Sequence, residues 1–367
     1  MIKVLQLVVA VNDGGIEKLL YDYYSNMNSD EIVFDFAIND TERGILEDPL
    51  KSRGSKIYRY VKFRKNFLGA VKDINSIIDK GDYDVIHSHL GNRAFLSLIH
   101  AKRKGCKVVI SHCHSAYEKE NLLQLLFRKV TTEITKRNSD YLFACGKDAG
   151  KWMWGTNSEY RVMKNAIQIE KFNFDKQARD ILREDLGIID KQVFLCVGRL
   201  SEQKNQERLV DIFYEYQKEE DNSVLLLVGT GDKLESIREK IRQYSIEDKI
   251  KILGVRTDVN RLLSAADIYI LTSKYEGLPI SVIEAQCSGL SCVLSDAITR
   301  EVALSENVRY CSLDDTNSTW VKAIKEVFSK PLKNRCDGVN IVRSAGYDIK
   351  IEANKMYDFY KEAARCD

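Results

Sequence analysis

Short runs of apolar, β-branched residues alternate with stretches whose apolar residues recur at helical spacing, and this alternation most constrains what the chain can fold into. Val4–Val11 reads as a strand buried on both faces, Ile16–Met27 as a helix and Ile32–Ile38 as a strand. Asp84–His89 and Lys107–His112 read as strands flanking a helical stretch around Arg93–Arg103, followed by a helix over Asn121–Arg137 and a strand over Tyr141–Cys145. Strands apolar on both faces and joined by helices predict a parallel sheet covered on both sides. The rhythm restarts with a strand at Val193–Val197, a helix at Asn205–Lys218 and a strand at Ser223–Val228. Further strands are expected at Ile250–Leu253, Ile268–Thr272 and Ser291–Leu294, with helices between them. Two such runs predict an α/β chain of two doubly wound domains. The polar, weakly periodic stretch Asn165–Lys191 is read as their connection, and Ile349–Ala364 as a closing amphipathic helix.

Composition supports a folded two-domain chain. The 367 residues are 44% hydrophobic and 30% charged, which excludes disorder as the main state. The 20 Gly and 3 Pro are scattered, which excludes collagen-like repeats. A net charge of +2 excludes a chain that coats nucleic acid through bulk charge. That figure is a cancellation: residues 1–165 hold 26 Lys+Arg against 20 Asp+Glu, and the remainder holds 30 against 34. The longest uncharged run, Ala285–Ser295, is far short of the ~18–20 apolar residues a spanning helix needs. Asp13, Glu17 and Lys18 closely follow Val4–Val11 with no small-residue cleavage site, so a buried strand is expected there and not a secretory signal. The nine scattered Cys form no Cys-x-x-Cys pair and read as reduced, mostly buried thiols.

Several turns carry candidate chemistry. Asn12-Asp13-Gly14-Gly15 falls where the first strand gives way to a helix, a place where glycines admit a close ligand and the helix end favours an anion. Gly229-Thr230-Gly231 follows a strand, but Leu234 stands where a dinucleotide fingerprint needs its third glycine, and no P-loop occurs. Gly198-Arg199-Leu200 opens the second domain's first strand-to-helix turn, and Arg199 and Lys204 set two cations beside a helix start, a suitable site for a diphosphate. Glu276-Gly277-Leu278-Pro279 follows the strand ending near Thr272, with Pro279 in the first helical turn and Glu284 about one and a half turns in. A carboxylate among Ile283 and Ala285 needs partners if buried, and sugar hydroxyls would supply them.

The pair Glu276-x7-Glu284 with Gly-Leu-Pro after the first Glu resembles the signature of retaining GT-B glycosyltransferases of family 4, in particular the capsule and exopolysaccharide enzymes. Gly14-Gly15-Ile16-Glu17, Asp84-Val85-Ile86-His87-Ser88-His89, Ser111-His112-Cys113-His114, Asn165-Ala166-Ile167 and Gly198-Arg199-Leu200 with Lys204 follow in the family's order, so the resemblance covers essentially the whole chain. It implies two Rossmann-like domains facing across a cleft: 1–165 for the acceptor, 166–347 for the nucleotide sugar, and 348–367 as a helix crossing back to the first domain. It implies that Arg199 and Lys204 contact the donor diphosphate and Glu284 the ribose. Glu276 would meet the donor sugar's hydroxyls, the amides of Gly277 and Leu278 the phosphates, and Gly15 would approach the donor from the other domain. Gly198 shapes the donor turn. The family's histidine near the transferred sugar matches His112 or His114, with His114 preferred because it lies farther beyond the strand. His89, His112 and Asn165 are secondary or acceptor-side candidates. Ala166 and Gln168 depart from the family's usual Asn-Gly-Val/Ile-Asp, which puts that loop's role in question.

The expected chemistry is transfer of a hexose or N-acetylhexosamine from a nucleotide-diphosphate sugar, UDP-linked, to a saccharide acceptor on a lipid, with retention of configuration. Fixed cations would stabilise the leaving diphosphate without a metal. No cofactor is expected: Asp82-Tyr83-Asp84 reads as strand-entry acids, and no other His/Glu/Asp cluster is apparent. His87 reads as a structural histidine, His100 as a surface one, and Trp152 and Trp154 as packing residues. The basic-aromatic stretch 56–67 reads either as a solvated loop or as a contact with an anionic membrane, which would make the enzyme cytoplasmic and peripheral on the inner face. No nucleic-acid partner is expected. The rivals are a UDP-sugar 2-epimerase on the same fold, a non-catalytic nucleotide-sugar-binding protein, and an oxidoreductase, which the missing glycine disfavours.

Overall fold

The computed structural model describes every residue except 13–14, 40–41, 115–120, 331 and 366–367. The chain divides into two compact units, 1–166 with 349–367 and 167–348. In the first, the sheet comprises β1 (Ile2–Leu7), β2 (Ile32–Ile38), β3 (Ile57–Arg59), β4 (Val85–Ser88), β5 (Val108–Cys113), β6 (Tyr141–Ala144) and β7 (Arg161–Val162). Its order is β3-β2-β1-β4-β5-β6-β7, with every pair parallel. β1 is shorter than the apolar run that announced it. Val8 and Val11 stay buried but lie in the loop, where the core covers them, while Val9 is exposed.

The terminal helix Ile349–Ala363 belongs to this first unit. It buries Ala353, Met356, Phe359 and Tyr360 in the same core as Val4, Leu20, Phe34 and Phe143. Phe34 meets Tyr360 edge-on at 5.7 Å and Phe143 meets Phe359 at 5.3 Å.

The aromatic rings of the stretch 56–67 pack against their own unit. Tyr60 is buried with its hydroxyl on the Val8 carbonyl at 2.9 Å. Phe63 packs on Tyr60 and Phe67, and Phe67 stacks on Phe95, so the rings are spent on packing. Lys56, Arg59, Lys62, Arg64 and Lys65 remain exposed. Asn66 caps a helix over Phe67–Lys80 that the sequence reading had not drawn.

The second unit holds β8 (Gln192–Val197), β9 (Ser223–Val228), β10 (Ile250–Ile252), β11 (Ile268–Leu271), β12 (Ser291–Ser295) and β13 (Val308–Cys311). Their order is β10-β9-β8-β11-β12-β13, again all parallel. The region read as a plain connection carries a helix over Lys176–Asp185. Charge pairs anchor it beside the helical spacing of Ala178, Ile181 and Leu182. Arg179 and Arg183 bond both oxygens of Asp267 at 2.5 and 2.6 Å, and Asp267 also accepts the Val193 amide at 2.8 Å. Arg179 and Arg183, joined by Arg335, also donate to carbonyls at the end of the helix Val259–Ala265, groups that have no intrahelical partner. All cysteines among the described residues are free, and most are buried.

Asp267 therefore joins a helix, a strand and a helix end. Asp267→Ala leaves two partly buried guanidiniums unpaired and is expected to cost about 3 kcal/mol, read as a lower urea midpoint at unchanged slope. A midpoint equal to wild type would refute this.

Candidate functional site

In the second unit the candidate donor residues gather at one place. β8 and β11 are sheet neighbours although far apart in sequence, so the strand order reverses between them and the loops at their carboxyl ends lie side by side. Gly198 leaves β8 with φ 153, and a Cβ there would stand 3.3 Å from the Lys204 side chain. Gly229 and Gly231 serve backbone packing: Cβ atoms on them would fall 2.2 Å from the Gly198 carbonyl and 2.1 Å from the Leu200 carbonyl.

Hydrogen bonds stitch the two loops together. The Lys274 amide donates to the Gln203 carbonyl at 2.8 Å, and Gln203 Nε2 to the Tyr275 carbonyl at 3.0 Å. Thr272 Oγ1 donates to the carbonyl of Asn205, a left-handed residue with φ 55. The result is a close ion pair, Lys204 Nζ to Glu276 Oε1 at 2.6 Å, with both side chains largely buried. The angle lies outside hydrogen-bond geometry, so Glu276 Oε1 has no directed donor. Arg199 is exposed at the same turn.

Gly277 is half-buried and Leu278 buried as the chain enters the helix Ile280–Cys287. Pro279 stands at the N-cap, one residue earlier than expected, and the helix start carries no side-chain cap. Tyr269 of β11 fastens that first turn, donating to Ser281 Oγ at 2.7 Å. Glu284 is half-buried in the same helix.

The first unit holds the remaining candidates. Gly15 is the exposed first residue of the helix Gly15–Ser25, while Asp13 and Gly14 lie outside the described residues. Asn165 is buried, and Ala166 is part of the core. Asp84 is a strand-entry residue, accepting the Lys3 amide at 3.0 Å and pairing with Lys107, while Asp82 is exposed. His100 sits on a helix and pairs with Asp79 at 2.9 Å.

The histidines depart from expectation. β4 and β5 pair with His87 opposite Ile110 and Ser88 opposite Ser111. Alternation puts His87 and His89 on one face, and the parallel register lays His112 and His114 beside them. Ring centroids lie 4.2 Å apart for His87 and His89, 4.0 Å for His112 and His114, and 5.1 Å for His89 and His112. This is the cluster that was not apparent in the sequence. Its available signal was the pair of His-x-His motifs ending two strands; the pairing of those strands was not.

His114 Nε2 meets His89 Nδ1 at 2.8 Å, and His89 Nε2 meets Gln6 Oε1 at 2.8 Å. Gln6 accepts there, so neutral His89 carries its proton on Nε2 and its Nδ1 accepts from His114. His87 Nδ1 contacts the Tyr360 hydroxyl at 2.7 Å. Burial pushes His87 and His114 down to about 3, and His89 and His112 well below the usual imidazole range.

His89 and His114 line a cavity of about 520 Å³. Its other walls include Asn92, Arg93, Phe127 and Trp152, with the Arg128 guanidinium 4.5 Å from the Trp152 ring. Trp154, by contrast, is buried and donates to the Phe143 carbonyl at 2.9 Å. Of the two tryptophans read as packing residues, one packs and the other walls the cavity. Phe127 comes from the helix Leu122–Arg137, whose Leu122 and Leu123 are 80 and 78% exposed, with Leu126, Phe127 and Val130 exposed beside them.

Two parallel-sheet Rossmann-like units, one of them with a cation–carboxylate pair at its switch point, are the architecture of the GT-B fold class. The family models agree: "Glycosyltransferase Family 4" matches residues 14–171 and "Glycosyl transferases group 1" matches residues 178–338. The chain belongs to this family of glycosyltransferases. It is 26% identical over its whole length, and 98% of the relative's, to EpsF of Bacillus subtilis (strain 168), a protein assigned as a glycosyltransferase. It is 25% identical, over 90% of its length and 91% of the relative's, to the Escherichia coli UDP-Gal:alpha-D-GlcNAc-diphosphoundecaprenol alpha-1,3-galactosyltransferase. The fold matches Anabaena Alr3699/HepE, solved in complex with UDP, with a TM-score of 0.82 and 18% identity over 98% of this chain and 100% of that one.

The neutral cluster has a consequence for stability. Below about pH 6.5 the unfolded chain protonates these rings and the folded chain does not, so stability is full above that pH and is lost toward about 3. Each ring held neutral contributes a slope of about 1.4 kcal/mol per pH unit. Urea midpoints in chelator-containing buffer are expected to fall steeply between about pH 6.5 and 5, and less steeply in His87→Gln. Equal slopes in the two proteins would contradict the assignment.

Proposed function

We propose that the chain transfers a hexose or N-acetylhexosamine from a UDP-sugar to a lipid-linked saccharide, with retention of configuration, in the assembly of a surface polysaccharide. The observation that carries this reading is the Lys204–Glu276 pair, 2.6 Å apart in a turn shaped by Gly198 and adjoining Arg199. Breaking a sugar–diphosphate bond builds negative charge on the leaving group. The Arg199 and Lys204 cations and the uncapped start of the helix Ile280–Cys287 are suited to stabilise it, with no metal required at the diphosphate. On donor binding Lys204 turns to the phosphates and Glu276 accepts from the sugar hydroxyls. Glu284 takes the ribose. Relatives support the donor and acceptor classes: the E. coli enzyme uses a UDP-sugar and a diphosphoundecaprenol acceptor, and CapH of Staphylococcus aureus, 24% identical over 98% of this chain, serves capsular polysaccharide biosynthesis. Retention rests on the family resemblance.

The first unit would take the acceptor. Its cavity offers neutral His114, Asn92 and Arg93 to a saccharide and Phe127 to a lipid. The exposed apolar face of Leu122–Arg137 fits partial insertion at the inner face of the cytoplasmic membrane, and the exposed Lys62, Arg64 and Lys65 would add attraction to anionic lipid, about 1 kcal/mol each.

Thermal shift in metal-free buffer is expected to show stabilisation by UDP, about 2.7 kcal/mol at 100 times its dissociation constant. Lys204→Ala should lose that shift, and Glu276→Ala should abolish transfer while remaining folded. Wild-type turnover in either variant would remove the assigned roles. Flotation on phosphatidylglycerol vesicles should be lost in Leu123→Glu/Phe127→Glu and weakened by charge reversal at Lys62, Arg64 and Lys65. Unchanged flotation in both variants would end the membrane reading.

A further inference from the structure

We infer that the His-x-His ends of β4 and β5 form a binding site for one borderline divalent transition-metal ion, zinc foremost, with His87, His89 and His112 as ligands. The inference is independent of the donor site, since these residues lie in the first unit and the diphosphate cations in the second.

Convergence comes first. One ligand atom from each of the three rings lies within 4.8 Å of the others. Three atoms that close share a point about 2.8 Å or less from each. Zinc–imidazole bonds are about 2.0–2.1 Å, so each ring nitrogen has to move by about 0.7 Å or less, and the stacked His87 and His89 rings have to turn about their side-chain torsions to aim their lone pairs at that point.

The nitrogens are also available. His87 Nε2 and both ring nitrogens of His112 are buried without a hydrogen-bond partner, an arrangement that protein interiors avoid. A cation at their centre would give His87 Nε2 and one nitrogen of His112 a partner at once.

The surrounding contacts are those of a supported site. A ligating histidine usually gives its other ring N–H to an oxygen, which fixes the tautomer. His89 Nε2 stands 2.8 Å from Gln6 Oε1, which leaves His89 Nδ1 as its lone-pair atom, and the Tyr360 hydroxyl, 2.7 Å from His87 Nδ1, can accept an N–H there once His87 Nε2 turns its lone pair to a metal. His89 Nδ1 now accepts from His114 Nε2. On loading, that lone pair turns to the metal and His114 is released toward the cavity.

Ligand chemistry selects the ion. Three neutral imidazoles with no carboxylate suit zinc, cobalt, nickel or copper, whereas magnesium and calcium require oxygen donors. Entry is open on one side, since His89 and His114 line the 520 Å³ cavity.

The test is titration of untagged, chelator-stripped protein with Co²⁺. Visible d–d bands of a low-coordinate cobalt ion are expected, saturating at one equivalent per chain and removed by Zn²⁺. His87→Gln/His112→Gln should weaken binding by about 100-fold or more, and His100→Gln should leave it unchanged. Should the double variant lose its circular dichroism spectrum, imidazole ¹⁵N signals of the wild type decide: Zn²⁺ must shift those of His87, His89 and His112. Absence of a saturable band, a band that survives in the folded double variant, or imidazole signals indifferent to Zn²⁺ would each overturn the site.

Discussion

Every strand in both sheets runs parallel, and the placement of functional groups within each unit depends on that constraint. Parallel neighbours cannot be joined by hairpins, so each strand is followed by a crossover, and every strand of a sheet ends on the same edge. Where the strand order reverses, the crossovers leave to opposite faces of the sheet and a crevice opens at those ends. In the second unit the reversal lies between β8 and β11, and the loops carrying Lys204 and Glu276 emerge there. In the first it lies between β1 and β4, with Gly15 after one and His89 after the other.

The two units use this edge in electrostatically opposite ways. The second keeps a charged pair whose partners hold each other in place, with Arg199 beside it, a site built for a polyanion. The first keeps four imidazoles neutral by burial and ties His89 to Gln6 and His87 to Tyr360. Tyr360 belongs to the last helix, so the end of the chain holds a ring at the centre of the sheet that begins it. Outside the site, Asp267 does for the second unit what apolar packing does elsewhere, joining three elements through two arginines and an amide.

Much of the fold was legible because burial on both faces leaves an unmistakable pattern. Ile32–Ile38 and Ser223–Val228 coincide with β2 and β9. Other segments differ from their pattern. Lys176–Asp185 is a helix held by Arg–Asp pairs and was read as a connection. Val8–Val11 continues the apolar run beyond the end of its strand. The aromatics of 56–67 are of a type that serves membranes and cores alike, and here Tyr60, Phe63 and Phe67 pack against their own unit. The exposed leucines of Leu122–Arg137 went unnoticed because an apolar helix face reads the same whether or not anything covers it.

The sequence by itself determined two doubly wound parallel sheets, the turn chemistry of Gly198 and the Glu276-x7-Glu284 spacing, since these depend on local periodicity and backbone sterics. It also carried the family, through the order of those motifs. Only the tertiary structure decided which side chains meet. Lys204 reaches Glu276 because β8 and β11 are neighbours across a break in strand order. His87, His89 and His112 converge because β4 pairs with β5 in one particular register, and a shift of one residue would turn one pair to the other face. Contacts of this kind join residues tens of positions apart, and the long-range pairing that brings them together leaves no mark on either segment alone.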